Sequence, residues 1–377
     1  MSMPAPSRHR ALTARGPWAV VAALGALLVL LPIGVRSLPV PGAGTQAAEL
    51  LGLIRESGAH AYAGYAETTG SLALPVTDTL TDVASLLGGR TLQRVWWRGG
   101  DDWRSDTLSA SGELSTRTTP TGMQVFDFEG GVVARTAPDV PGAVRLPRAV
   151  DTLPPLLAGR LLSEASAAQV SSLPPRRVAG RSADGLRLTP GDPLSSIERV
   201  DVWADRVSGI PLLVEAFGRT SATAAVSSTF LDFTDALPSE QELAFTPPPG
   251  TRVVARQRLD LAQAVGRTPD PSLPATLLGF PRAPSPTGLA GIGQYGQGVT
   301  QLVVGQLPDR VAASLRQQLR AVVGATALPE GLAVSIGPVG LLVTDPAVTG
   351  RTFLLTGTLT PDGLARAAAA LRTGAAS

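Results

Sequence analysis

Val202-Trp203-Ala204-Asp205-Arg206-Val207-Ser208-Gly209-Ile210-Pro211-Leu212 is the stretch from which the fold is read. An apolar run closes on Trp203-Ala204-Asp205, Ser208-Gly209 supplies a turn, and Pro211-Leu212 opens a second apolar run. Two such runs joined by turn residues make a strand–turn–strand unit. Outward from this unit, Tyr62, Gly64, Ala66 and Thr68 alternate with Ala61, Ala63, Tyr65 and Glu67 along an extended segment. Strand-like pieces recur at 93–98, 102–109, 122–128, 132–136, 197–204, 210–217 and 223–233, each bounded by Gly, Pro, Asp or Ser. Such a series predicts an antiparallel sheet of hairpins.

Helical periodicity appears in three places in this first body. Residues 47–57 place Leu50, Leu51 and Ile54 on one side, and helices are also expected at 78–87 and 154–168. Pro247-Pro248-Pro249-Gly250 closes the body. A second, smaller body follows, with strands expected at 299–304, 332–336, 341–344 and 352–357. Its helices are expected at 309–323, with Val311, Leu315, Leu319 and Val322 on one face, and at 363–371.

Composition removes several function classes. The chain has 377 residues, 44% of them hydrophobic and 16% charged, so it can bury more than one core. Its net charge is +2, and Arg8, Arg10 and Arg15 all precede an apolar run; taking these three away leaves −1 for the remainder. A near-neutral body has no basic footprint for phosphate, so nucleic acid is excluded as a partner. Every basic side chain is Arg, which rules out a P-loop lysine, a Schiff-base lysine and a Ser-x-x-Lys pair. The chain has no Cys, hence no disulfide, thiolate nucleophile or cysteine-bound zinc.

Residues 17–35 form an uncharged apolar run behind Arg8, Arg10 and Arg15. Its length approaches the ~20 residues of a spanning helix, and the basic flank keeps the N-terminus cytoplasmic. The following Arg36-Ser37-Leu38-Pro39-Val40 offers no clean small-x-small cleavage site. The expectation is an uncleaved signal anchor over 1–36 with the body outside the cytoplasm. The alternative is a protein secreted after signal cleavage.

The Trp203-x-Asp205 strand end, the Ser208-Gly209 turn and the Pro211-Leu212 strand start resemble the LolA-like lipoprotein-carrier superfamily, which includes RseB/MucB-like sigma-E regulators. Thr229-Phe230-Leu231-Asp232-Phe233 and Phe245-Thr246-Pro247-Pro248-Pro249-Gly250 follow in the expected order. Tyr62-Ala63-Gly64-Tyr65, Val95-Trp96-Trp97 and Trp103-Arg104-Ser105-Asp106 precede them. The resemblance implies an α+β fold in which a strongly curved, incompletely closed antiparallel β-sheet, a half-barrel, covers helices. This domain would span 45–254, with a smaller α+β C-terminal domain at 259–375, after the N-terminal transmembrane helix. It implies a sensor that binds an acyl chain or lipoprotein ligand and contacts a membrane partner such as an anti-sigma factor. A lipid or lipoprotein carrier is the alternative.

The ligand-binding candidates are Trp96, Trp103, Phe126, Phe128, Trp203, Phe217 and Phe230, aromatics able to line an apolar cavity. Adjacent Trp96 and Trp97 must point to opposite faces of a regular strand, so at most one lines the cavity. Packing alone also accounts for aromatics in strands. No catalytic residue, metal site or cofactor is expected. Gly291-Ile292-Gly293-Gln294-Tyr295-Gly296 fits a dinucleotide pattern, but it neither follows a strand nor opens a helix, and it reads as a hairpin or partner loop. His60 is the one histidine of the body and has no nucleophile elbow to serve. Asp101, Asp102, Asp201 and Asp205 are explained by turns and strand ends.

Overall fold

The computed structural model describes residues 44–71, 88–109, 112–138, 147–255, 273–284, 291–322 and 324–374. The apolar run and the helix expected at 78–87 lie outside them. Among the described residues, no helix is long and apolar enough to cross a membrane.

The chain begins with helix α1 (Ala47–Glu56) and strands β1 (Tyr62–Gly70), β2 (Arg90–Gly99), β3 (Asp102–Ser109), β4 (Gly112–Thr119), β5 (Gly122–Asp127) and β6 (Val132–Thr136). A 3₁₀ turn (Ala149–Thr152) and helix α2 (Pro154–Leu161) precede β7 (Val170–Val178), β8 (Arg181–Leu188), β9 (Ile197–Asp205), β10 (Pro211–Gly218) and β11 (Val226–Thr234). Helix α3 (Glu240–Leu243) and β12 (Arg252–Ala255) end this part. All twelve strands join one sheet in the order β12-β6-β5-β4-β3-β2-β1-β11-β10-β9-β8-β7, antiparallel except where β12 runs parallel to β6. The two end strands do not pair, so the large curved sheet stays unclosed.

One inner face explains the burial. Leu50, Leu51 and Ile54 of α1, Ala158 of α2 and Leu162 just after it pack on Leu186, Val200, Val202, Ala204, Val214 and Ala216. Each fully buried aliphatic side chain of this kind contributes roughly 1.5–3 kcal/mol. The crossover from β6 back to the far edge at β7 carries the 3₁₀ turn and α2, and α2 lies against β10 and β11.

Several expected elements change length. The helix expected to reach residue 168 stops at Leu161, because the Arg55 guanidinium gathers the carbonyls of Leu162, Ser163 and Ala165 at 3.0, 3.3 and 2.5 Å. Strands β4, β7 and β8 were not foreseen. Pro174 and Pro175 sit in β7 where the register shifts between Leu173 and Arg176, which an edge strand tolerates.

The second part holds a short hairpin, β13 (Thr276–Leu277) and β14 (Phe280–Pro281), then β15 (Ile292–Gln297), β16 (Thr300–Gln306) and helix α4 (Asp309–Arg320). Next come β17 (Thr326–Leu328), β18 (Gly331–Ile336), β19 (Val339–Thr344), helix α5 (Pro346–Thr349), β20 (Phe353–Gly357) and helix α6 (Pro361–Gly374). Six of these strands form an antiparallel sheet in the order β15-β16-β20-β19-β18-β17. Helix α4 covers one face through Leu319 against Val334, Ile336 and Val343. Helix α6 covers the other through Leu364, Ala367 and Leu371 against Leu302, Leu342 and Leu355. On α4, Val311 is 50% exposed rather than buried; Ala312, one position on, takes the inward place. The glycine-rich pattern at 291–296 lies mostly in β15, whose Tyr295 is fully buried, and is followed by a turn and β16 rather than a helix.

The two sheets interlock. Val299, in the β15–β16 turn, joins the core beneath the twelve-stranded sheet, and Ala225 joins the core under α4. Backbone bonds Ser196 N–H to Thr358 O at 2.9 Å and Thr360 N–H to Leu194 O at 2.8 Å bridge them, and Glu164 accepts from Gly298 N–H at 2.6 Å.

Candidate functional site

The β9–β10 turn from which the fold was read is built around one carboxylate. Asp205 ends β9 and accepts from Ser208 N–H and Oγ, both at 3.0 Å, while Arg181 grips it with Nε at 2.9 Å and Nη2 at 3.0 Å. Gly209 follows at φ +70, and a Cβ there would stand 2.8 Å from the Leu53 carbonyl oxygen, so glycine is required on both counts. Burial alone would raise the Asp205 pKa, but the Arg181 and Ser208 hydrogen bonds outweigh it and hold the group below its usual range. Asp184 behaves alike: burial opposes ionisation, and Arg206 with the Thr45 hydroxyl and amide more than offsets it.

Cross-strand register puts an aromatic row on the inner face. Trp103 opposes Trp97, and Trp97 opposes Tyr62. Trp103 and Trp97 stack at 5.8 Å, Trp97 and Tyr62 at 5.9 Å, and Phe230 meets Tyr62 edge-on at 5.8 Å. Leu153 and Val150, from the crossover, pack on the row. The Tyr62 hydroxyl is buried and has no hydrogen-bond partner among the described residues, and burial pushes its pKa up.

Beside the row lies a buried polar patch. Thr68 Oγ1 is 3.0 Å from Ser228 Oγ and 3.2 Å from Thr152 Oγ1, and Gln93 Nε2 donates to Thr152 Oγ1 at 3.2 Å. These bonds seat the 3₁₀ turn on the sheet. Buried hydroxyls and amides hold their place only when so paired.

Between that turn and strands β2 to β5 opens a cavity of about 490 Å³. Trp103, Leu108, Leu114, Met123, Val125 and Val150 supply its apolar wall, and Thr91, Ser105, Thr107 and Thr116 supply hydroxyls; Arg148 borders it, while Arg90 does so from a strand position that turns its guanidinium to Glu67 on the far face. A second cavity of about 570 Å³ adjoins it, sharing Leu114 and Val125 and reaching Val132, Arg252 and Val254. A pocket of this size with apolar walls and a few polar groups suits a small amphipathic ligand.

The sequence-derived candidates divide between faces. Trp103 lines the cavity and Phe230 lies on the aromatic row. Trp96 is on the opposite face from Trp97, with the Arg104 guanidinium 5.1 Å from its ring. Phe126 pairs in register with Ser115, opposite the cavity-lining Val125, and meets Phe128 at 4.1 Å and Phe245 at 5.8 Å. Phe128 is 46% exposed. Trp203 sits on the face away from Val202 and Ala204, under Arg176 at 4.6 Å, and donates its indole N–H to Pro174 O at 3.1 Å. Phe217 lies 3.7 Å beneath Arg199. Trp96, Trp203 and Phe217 are packed under arginines, a cation–π arrangement that stabilises the sheet. Tyr62, Trp97, Met123 and Val125 went unassigned to the site. The alternation that separated Trp96 from Trp97 could have found Trp97, but Met123 and Val125 carry no signal beyond strand pattern.

Of the acidic residues weighed in the sequence, Asp102, Asp201 and Asp205 are held by arginines. Asp102 binds Arg117 at 2.6 Å and Asp201 binds Arg187 at 2.6 Å. His60 Nδ1 lies 3.1 Å from the Ser208 carbonyl oxygen. Among the described residues no cluster of three metal-ligating side chains occurs.

No protein-family model matches the chain, and no curated protein sequence matches it. Solved structures similar to it include the MucA/MucB complex of Pseudomonas aeruginosa: 18% identity over 85% of this chain and 96% of that one, TM-score 0.46. A lipoprotein-sorting protein domain of the outer membrane from Vibrio parahaemolyticus, described as putative, aligns at 13% identity over 52% and 95% of the two chains, TM-score 0.23. A LolA superfamily protein from Nitrosomonas europaea aligns at 10% identity over 53% and 98%, TM-score 0.23.

Proposed function

We propose that the protein is a membrane-tethered, extracytoplasmic lipid- or lipoprotein-binding sensor of the RseB type. The observation that carries this reading is the cavity of about 490 Å³ on the inner face of an unclosed sheet, walled by Trp103, Met123 and Val125. An acyl chain entering it leaves water without needing directional partners, which is the chemistry such a wall offers. Residues 1–36 are read as leader and signal anchor, 45–254 as the ligand-binding half-barrel and 259–375 as a partner-binding domain. The tether would keep the cavity near the bilayer that supplies its ligand. Occupancy would alter contact with a membrane protein, such as an anti-sigma factor. The aromatic row and the Thr152-anchored crossover support the reading, since ligand beside them would bear on the segment that links the two halves of the sheet.

Mass spectrometry of lipids co-purifying with the full chain tests the ligand, with Val125→Trp, which fills the cavity, as control. An acyl species enriched on the native protein and absent from the variant supports the reading; identical extracts refute it. Transfer of a bound lipid between vesicles would move the assignment from sensor to carrier.

A further inference from the structure

One row of cross-strand partners runs through both cavities and changes character along its length. Val95 on β2 opposes Ser105, which opposes Thr116; Thr116 opposes Val125, Val125 opposes Ala134, and Ala134 opposes Val254 on β12. Residues paired in this way share one face of a sheet, here the inner face that also carries Trp103. The row is polar over β3 and β4 and apolar over β5, β6 and β12. From Thr116 to Val254 it crosses three strand spacings, about 14 Å. The first cavity lies over the polar part, and the second, which shares Leu114 and Val125 with it, lies over the apolar part.

Hydroxyls gather at the polar end. By the alternation of β2 and β3, Thr91 and Thr107 stand on the same face as Val95 and Ser105, and both line the first cavity with Ser105 and Thr116. Ser105 Oγ donates to Gln93 Oε1 at 3.4 Å and so joins the network that seats the 3₁₀ turn. Among the described residues, no bond of that network takes up the Thr91, Thr107 or Thr116 hydroxyl, and each offers a donor and an acceptor to the cavity. Charge is not on offer there. No carboxylate lines the first cavity, the Arg90 guanidinium turns to Glu67 on the far face, and Arg148 has a bonding partner of its own. The second cavity is bordered by one charge of each sign, Asp127 and Arg252, both exposed. An ionised head set on the hydroxyls would give up water without gaining a counter-charge. An uncharged hydroxyl, ester or amide would exchange its bonds to water for equivalent ones.

We infer that the ligand is a single-chain lipid with an uncharged, hydroxyl-bearing head of the monoacylglycerol kind. The head rests on Thr91, Thr107 and Thr116, and the chain runs across the strands along Val125, Ala134 and Val254. The inference rests on the lipid-binding reading above and adds to it the polarity of the ligand and the direction in which it lies.

The test is photo-crosslinking of the full chain in phosphatidylcholine vesicles at alkaline pH, where a fatty acid is ionised. Three probes carry the same chain with a diazirine near its end: a monoglyceride, the free acid and the plain hydrocarbon. The monoglyceride is expected to label β5, β6 and β12 about tenfold more than the acid or the hydrocarbon, as two ordinary hydrogen bonds imply. Combining Thr107→Val with Thr116→Val, which suits a strand, is expected to bring monoglyceride labelling down to the hydrocarbon level. Unchanged hydrocarbon labelling shows that the variant is folded with its cavity open; Thr116→Val alone, expected to cost about threefold, serves if the pair does not fold. Acid labelling equal to or above that of the monoglyceride overturns the uncharged head and leaves the cavity reading intact. Monoglyceride labelling undiminished in the folded variants overturns the seating of the head on these hydroxyls. Labelling of those strands by none of the probes overturns this inference and the lipid-binding reading together.

Discussion

Gly185 lies directly under the Trp203 indole: a Cβ on this glycine would stand 2.7 Å from Trp203 Nε1 and 2.8 Å from Leu173 Cβ. The glycine is therefore a packing requirement, and it explains how Asp184-Gly185, a turn signal in sequence, sits inside strand β8. Gly185→Ala should lower stability by about 1–3 kcal/mol, because neither the strand nor the ring can move without losing its partners. Thermal unfolding checks this; an unchanged midpoint would show that the indole yields freely.

Asp205 and Asp184 give the protein a defined response to acid. Both carboxyl groups are held below their usual range in the folded state. The folded state therefore binds fewer protons than the unfolded one as pH falls. Their stabilisation is complete above the unfolded carboxylate value of about 4 and is lost as pH drops through the folded values. Asp205→Asn should remove about 2 kcal/mol at pH 7 and flatten the stability profile below pH ~4. Urea unfolding from pH 7 to pH 3 measures both; parallel profiles for native and variant would contradict the assignment.

Trp203 and Val125 should separate stability from binding. Trp203 packs on the face away from the inner core, so Trp203→Ala should cost about 3–5 kcal/mol while sparing ligand affinity. Val125→Trp should do the opposite, occupying the cavity at about 1–3 kcal/mol. Unfolding curves and ligand titration on the same preparations distinguish the two; loss of binding in Trp203→Ala at a temperature where it is folded would move the site to the outer face.

Val299 ties the small sheet to the large one. It is 8% exposed and belongs to the core under the twelve-stranded sheet. Val299→Ser should cost about 1–3 kcal/mol through the lost apolar contact and a hydroxyl left in an apolar site. Calorimetry should show the single unfolding transition moving down as a unit; two transitions in the native chain would show that the sheets unfold independently.

Much of this fold was legible because the inner face imposes period 2 on the strands and the turns obey glycine and proline chemistry. The β9–β10 unit and α1 with its Leu50, Leu51 and Ile54 stripe were read correctly for that reason. What escaped was decided by tertiary partners. Strand β7 carries two prolines that only an edge accepts, and β8 hides Asp184 behind Arg206 and Thr45. Of the ligand-binding candidates, Trp103 and Phe230 lie on the inner face, as the alternation of a strand allows. Trp203 and Phe217 lie on the other face, each under an arginine, an orientation that follows from register a single sequence does not display.

The central claim is that the inner-face cavity binds an acyl chain. Titrating a fluorescent fatty acid into the full chain, beside Val125→Trp and Trp203→Ala, tests it most directly. The account requires saturable binding to the native chain, abolished by Val125→Trp and retained by Trp203→Ala. Absence of saturation, or equal binding by native protein and Val125→Trp, would contradict it.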